Sequence, residues 1–577
     1  MSNKLAGKNK TKSRTGKLSA DCKKMTGRDI TSLAIKALTL VYLIILTVCH
    51  PLYYHNGYYD IGEAKWKFYK ALTFYYYDTK NKTFIPGYII ILAILFILSF
   101  LYRIMKKESL SEIIAKSRFS MTDIIVLCYG LICILSALFA PYSGLPEKSG
   151  DLLLPKLYNV IGGYSGWYMG LAAQLSFVII YFAVSRSYTE YKALYYVFGA
   201  SYFTVIFIAF INGFSIDPLD ILVKGKNFLT TMGNPNWFSS YLTVCLPVFI
   251  FLFWDSRKIY VRILSMIVMI FAFMDQAMGW SESAIPGILS CLFAFFCFSF
   301  IDKRHIYSFI ELLIVVTGSF RLAGLLYKLL PDMVTAYGDD DISSGLLNKA
   351  MHSAPVLILL ILLIVLYISM RITDRKGFLP DPSSYILLRN IIAGIVAFSL
   401  ILAPVYVFLN TKGFLPDALS SRHNYLYFDR YWGSWRGGTW IAAGETIGRN
   451  FKEDILSFFI GSGPDGFYKR IYEYFPDFEV PGWGKTTIAC AHNEWLNMYV
   501  NLGILGGSAY LMIFVTSVSR MISLYKKDIR AVLVAAAIIS YMAHNFFTYQ
   551  TVCCSPIVFV IMGYGAWLAR AKKGDGY

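Results

Sequence analysis

The chain has 577 residues, of which 56% are hydrophobic and 17% aromatic, while only 16% carry charge. Its mean hydropathy is +0.52. A soluble chain of this length would be far more charged, so the composition excludes a cytosolic globular protein and predicts a polytopic membrane protein. The formal charge of +18 does not signal a nucleic-acid partner, because Lys and Arg concentrate in short connectors between apolar runs.

The first 30 residues are basic and polar with no apolar core, and read as a disordered cytoplasmic tail. The apolar run from Ser32 to Cys49 lacks a small-residue cleavage site, so it reads as an uncleaved first helix rather than a signal peptide. Topology control is the simpler use of the tail; contact with anionic lipid heads is the alternative. Further apolar runs centre on 86–103, 121–141, 168–185, 193–213, 237–254, 261–277, 284–301, 306–330, 353–370, 390–410, 493–519, 530–548 and 555–570. The expectation is an all-α fold with about 14 transmembrane helices (12–14). The basic connectors alternate with the other loops, which predicts both termini in the cytoplasm.

These runs divide the chain into the basic tail (1–30), N-terminal transmembrane helices (31–120), a transmembrane core (121–410), a large extracytoplasmic loop (411–491), C-terminal transmembrane helices (492–571) and a cytoplasmic tail (572–577). A loop as long as 411–491 is uncommon unless functional. Inside it, "TWIAAGETIGRNFKEDIL" spaces Trp440, Ile441, Ile447, Phe451 and Ile455 nearly as an amphipathic helix would, suited to the outer membrane surface. The ten cysteines make no C-x-x-C spacing, and the vicinal Cys553-Cys554 reads as small apolar packing. The acidic "GDDDISSG" (338–345) reads as a solvated loop, so no metal site and no cofactor are expected.

Polar residues gather where the outer loop meets its helices. In "CAHNEWLNMYVNLGILGG", Asn493, Asn497 and Asn501 share one helical face, with Glu494 beside them and His492 at its mouth. A histidine there can accept a proton near neutral pH; alternatively the cluster only caps the helix start. "SRHNYLYFDRYWGSWRGGTW" sets Arg422, Arg430 and Arg436 among aromatics, where guanidinium forks can bind phosphate or simply snorkel at the interface. "TTMGNPNWFSSYL" carries Asn234 and Asn236 around Pro235, a rigid amide turn or an ordinary helix start. "YMAHNFFTYQ" repeats a His-Asn pair at His544, on the outer end of another span.

Taken in order, "GNPNWFSSYL", "WRGGTWIAAGETI", "GSGPDGF…AHNEWLNMYVNLGILGG" and "YMAHNFFTY" resemble the O-antigen ligase and polysaccharide polymerase superfamily of bacterial envelope glycan enzymes. The resemblance covers about residues 120–570. It implies a metal-independent, inverting glycosyl transfer on the outer face of the cytoplasmic membrane of a bacterium. The donor would be a polyprenyl-pyrophosphate-linked glycan and the acceptor a sugar hydroxyl, with other envelope assembly proteins as possible partners. It implies that His492 handles the acceptor proton and that Arg436 binds the pyrophosphate. The expected substrate cavity comprises Asn234, Asn236, Asn493, Glu494, Asn497, Glu282 and His544. One departure is "GWSESAIPG", where Glu282 stands at the place of an arginine in the family, leaving Arg422, Arg430 or Lys485 to supply the missing cation. With only "KKGDGY" after the last span, a surface-polysaccharide polymerase, for a capsule or exopolysaccharide, is the first expectation. A ligase acting on another envelope acceptor and a lipid-linked sugar flippase are the alternatives. Arg321 inside a span is the feature that favours transport.

Overall fold

The computed structural model describes residues 27–55, 59–107, 119–139, 160–164, 166–222, 230–279, 281–334, 346–423, 425–480 and 488–571. Lys485, the acidic 338–345 stretch, residues 1–26 and residues 572–577 lie outside these residues, and residues 27–30 of the expected tail open a helix instead. The protein is a multi-pass membrane protein: among the described residues, eleven helices are long and apolar enough to cross a bilayer. Three shorter apolar helices accompany them, at Leu171–Ser187, Arg530–His544 and Ser555–Ala571. Each expected apolar run coincides with one of these fourteen helices.

In chain order the helices are α1 (Gly27–Ile44, continuing through a π turn to Leu52), α2 (Tyr59–Thr73), α3 (Tyr88–Met105), α4 (Met121–Phe139), α5 (Leu171–Ser187), α6 (Lys192–Asn212) and α7 (Pro235–Asp255). There follow α8 (Ile259–Met278), α9 (Ala284–Phe298), α10 (Lys303–Leu329), α11 (Leu346–His352), α12 (Ala354–Arg375) and α13 (Ile386–Thr411). The last group is α14 (Trp432–Glu453), α15 (Ile455–Ile460), α16 (Phe467–Tyr474), α17 (Glu494–Leu524), α18 (Arg530–His544) and α19 (Ser555–Ala571). The fold departs from all-α in one antiparallel hairpin, Tyr75–Asp78 with Thr83–Pro86, in the aromatic segment after α1.

The core is a bundle in which α18 packs on α7 and α9, α17 on α4, and α19 on α5. Runs of small residues allow this: Ala535, Ala536 and Ala537 are all buried in α18. At the end of the bundle away from the 411–491 loop, Asp123 of α4 pairs with Arg570 of α19 and accepts the Tyr181 hydroxyl at 2.8 Å. By contrast α13 is apolar along its length and exposed to what the bilayer would supply.

The loop is largely folded rather than irregular. In α14 the small residues Ala442, Ala443 and Thr446 are buried, the two alanines in a cluster with Phe467 and Ile471 of α16 and Val500 of α17, while Ile441 and Phe451, and Ile455 at the start of α15, are exposed. Three of the five predicted apolar positions thus point away from the protein, while Trp440 packs on Trp432 and Phe547 and Ile447 on the loop's own apolar cluster. The loop crosses α17 at a kink: Ser462 and Gly463 donate N–H bonds to the carbonyls of Val500 and Asn501, at 3.2 and 2.9 Å. Gly503, at φ +66°, lets the Phe459 backbone come within 2.4 Å of where a Cβ would stand. "GILGG" is therefore a crossing point as well as a packing motif.

Candidate functional site

The loop-side ends of α7, α9, α14, α17 and α18 meet at one place. His492 immediately precedes Asn493, the N-cap of α17, whose side chain accepts the Leu496 N–H. Helix-start capping is thus real for Asn493, and it leaves the preceding imidazole outside the helix. His492 takes φ +50°, a left-handed conformation uncommon for a residue with a side chain. Asn497 Oδ1 accepts the Ala491 N–H at 3.2 Å and fixes this turn.

Arg436 arrives from the other side on an equally unusual backbone. Gly433, Ser434 and Trp435 all have positive φ, one left-handed turn at the start of α14. Such strain costs on the order of 1–3 kcal/mol per residue and persists where surrounding structure enforces it. Part of the enforcement comes from Gly437, where a Cβ would stand 1.8 Å from the Asp429 carbonyl oxygen. Arg436 Nη1 donates to Gly433 O at 2.9 Å and Nε to Phe547 O at 3.1 Å. Those two bonds leave three of the five guanidinium N–H donors for other partners.

The two residues are joined through Thr439, whose hydroxyl lies 2.8 Å from the carbonyl oxygens of both Arg436 and Ala491. Tyr549 stands edge-on to the His492 ring at 5.2 Å, and Trp167 packs on Tyr549 at 4.2 Å. Trp237 Nε1 donates to the Tyr549 hydroxyl at 3.2 Å. Cys490 Sγ is 3.6 Å from His492 Nδ1, so Nε2 is the ring nitrogen turned away from that neighbour. Burial, and then the positive charge of Arg436, push the His492 imidazole down to about 3, against a hydrogen bond with the Cys490 backbone. Burial likewise lowers Arg436, while Tyr425, Tyr549, Glu282 and Cys490 support its charge.

Glu282 is half-buried, accepts the Tyr425 hydroxyl at 2.5 Å and the Leu346 N–H at 3.2 Å, and acts electrostatically on Arg436. The carboxylate thus works as a counter-charge to Arg436. Arg422 is exposed, with its guanidinium 4.4 Å over the Tyr427 ring, and Arg430 is exposed as well. The half-buried Asn234 caps α7 by accepting the Asn236 N–H at 2.8 Å, and Asn236 accepts the Ser281 hydroxyl at 2.9 Å.

Four expected cavity residues face inward instead. Asn493, Glu494, Asn497 and His544 are buried, with relative exposures of 1%, 0%, 8% and 0%. Glu494 is enclosed by Tyr510, Tyr541 and Asn545. His544 sits among the hydroxyls of Ser239 (3.1 Å), Ser283 (3.3 Å) and Thr548 (2.9 Å), tying α7, α9 and α18 together. In the stripe itself, Asn493 caps its own helix and Asn497 takes the Ala491 N–H, while Asn501 is buried. A small cavity bordered by Trp167, Tyr168, Trp237 and Thr551 lies beside the His492 cluster.

Thr439, Tyr549, Trp167 and the Phe547 carbonyl escape sequence reading. Tyr549 lies in the already notable "YMAHNFFTYQ", but only its packing on His492 distinguishes it from other interfacial tyrosines. No protein-family model matches the chain, and no curated protein is significantly similar to it.

Proposed function

We propose that the protein is a metal-independent, inverting glycosyltransferase of the O-antigen ligase and polymerase type. It transfers an oligosaccharide from a polyprenyl-pyrophosphate carrier to an acceptor hydroxyl at the outer face of the bacterial cytoplasmic membrane, lengthening a surface polysaccharide. The observation that carries this reading is the convergence of Arg436 and His492 from separate segments, each on a left-handed backbone and bridged by Thr439.

In the reaction, the acceptor oxygen attacks the anomeric carbon and forms the new glycosidic bond. The bond from that carbon to the pyrophosphate oxygen breaks, and the electron pair leaves with the polyprenyl pyrophosphate. The acceptor proton passes to His492 Nε2 and then to solvent. Arg436 stabilises the charge accumulating on the leaving group. Alone, an imidazole held at about 3 is a weak base. A pyrophosphate on Arg436 offsets the smaller of the two causes, the guanidinium charge, while burial, the larger, persists, so the base strengthens in part when the donor is in place.

The transport alternative loses its best feature. Arg321 Nη1 donates to the carbonyls of Met351 and Ser353, at 2.9 and 3.2 Å, tying α10 to the end of α11. It is used for packing.

The test supplies purified protein with a polyprenyl-pyrophosphate glycan and an acceptor glycan. Wild type should release polyprenyl pyrophosphate and lengthen the acceptor, while His492→Ala and Arg436→Ala should each lose at least about a hundredfold in rate while remaining folded. Movement of the glycan lipid across liposomes without carrier release would overturn the proposal. Transfer to a different envelope acceptor would identify the ligase form of the same reaction.

A further inference from the structure

We infer that Glu494 and Asn545 form a clamp of positioning residues that sets the separation between His492 and Arg436. The inference rests on the transfer reading for its consequence in catalysis, but not for its geometry.

Neither residue reaches the site. Both are fully buried, at 0% exposure. They bind each other twice: the Glu494 N–H donates to Asn545 O at 3.0 Å, and Asn545 Nδ2 donates to the Glu494 carboxylate. The hydroxyls of Tyr510 and Tyr541 complete the carboxylate, at 2.5 and 2.9 Å. Asn545 Oδ1 faces His544 Nδ1 at 2.8 Å and accepts the Thr548 hydroxyl at 2.9 Å. The amide therefore has one orientation that suits its neighbours, with nitrogen toward Glu494.

The clamp stands between the two candidate groups. His492 lies two residues before Glu494, at the start of α17. Arg436 is held by the Phe547 carbonyl, two residues after Asn545, in the turn that ends α18. The path from imidazole to guanidinium thus runs through a bond between two helix ends. A carboxylate without donors in such a place would be costly, so its three donors fix it strongly.

The test uses full-length protein in lipid nanodiscs, with His492 titrated by NMR and transfer kinetics measured in parallel. In Glu494→Gln one acceptor oxygen replaces two, so the amide cannot serve Asn545, Tyr510 and Tyr541 together, and the clamp loosens. Removing a negative charge by itself would lower the His492 midpoint further, whereas withdrawal of Arg436 raises it, so the direction separates the two causes. The expected result is a rise of at least about one pH unit in the His492 midpoint, with kcat down at least tenfold and acceptor KM little changed. The reversed pair, Glu494→Gln with Asn545→Asp, restores an amide-to-carboxylate bond and should recover both. Asn545→Ser, which removes the bond without changing charge, should move the midpoint the same way and serves if the first variant does not fold. An unmoved His492 midpoint in a folded single variant, or a reversed pair no better than the single, overturns the clamp. If His492 responds as expected while wild type transfers no sugar, the clamp stands and the transfer reading fails.

Discussion

The Thr439 hydroxyl bridges the main chain of Arg436 and that of Ala491, the residue before His492, at 2.8 Å on each side. Thr439→Val keeps the shape and deletes the bond, leaving a buried carbonyl short of a donor. The expected loss is about 1–3 kcal/mol of stability, read as a lower melting temperature, with transfer reduced about tenfold at saturating donor. Unchanged transfer in a destabilised variant would mean that the bridge serves folding alone.

On the proposed reading, Glu282 would compete with the donor pyrophosphate for the charge of Arg436. In Glu282→Gln the amide can still meet the Tyr425 hydroxyl, but the counter-charge is gone. Donor KM should fall between about threefold and tenfold, in line with a partly exposed charge pair, and kcat should stay within about tenfold. A collapse of kcat with KM unchanged would make Glu282, and not His492, the base.

Asp465 joins the 411–491 loop to the stretch before α5, accepting the N–H groups of Tyr164 at 2.7 Å and Met169 at 3.2 Å. Burial pushes its carboxyl up to about 6, and the two N–H donors pull the other way. A raised carboxyl binds its proton more tightly when folded, so its contribution to stability is full below about pH 4 and is lost as pH rises to about 6. Asn can accept the same two bonds without ionising. Asp465→Asn should therefore lack that decline, so wild type loses stability relative to the variant as melting curves are taken from pH 4 to pH 7. A difference that does not vary with pH would contradict the assignment.

Gly503 permits the loop to cross α17. A methyl at that position would meet Phe459 main chain at 2.4 Å, on a backbone of φ +66° and ψ −171° that side chains avoid. Gly503→Ala should cost on the order of 3 kcal/mol and reduce the yield of monodisperse protein. Gly444→Ala in α14, where the added methyl meets nothing within 4 Å, is the control and should be neutral or slightly stabilising.

The helices were legible because each is long and apolar enough to declare itself, and composition alone separates bilayer-spanning segments from loops. The hairpin at Tyr75–Pro86 was not, since its aromatic residues fit a membrane interface as readily as a strand. The candidate polar residues were legible at the helix ends, but their partners were not. His492 stood out in a polar cluster that opens an apolar helix, and Arg436 among aromatics beside two glycines. Glu494 and His544 stood out as well, yet they turn into the bundle and hold helices together.

The sequence by itself determined a multi-pass helical membrane protein with polar groups gathered at the helix ends around one long loop. Those facts follow from side-chain solvation, which each residue carries with it. The tertiary structure alone decided which polar groups stay open to a ligand and which satisfy one another. Hydrogen-bond partners such as Thr439 with Ala491, or Glu494 with Asn545, lie tens of residues apart in the chain, and no local pattern records which helix will present the other half of the bond.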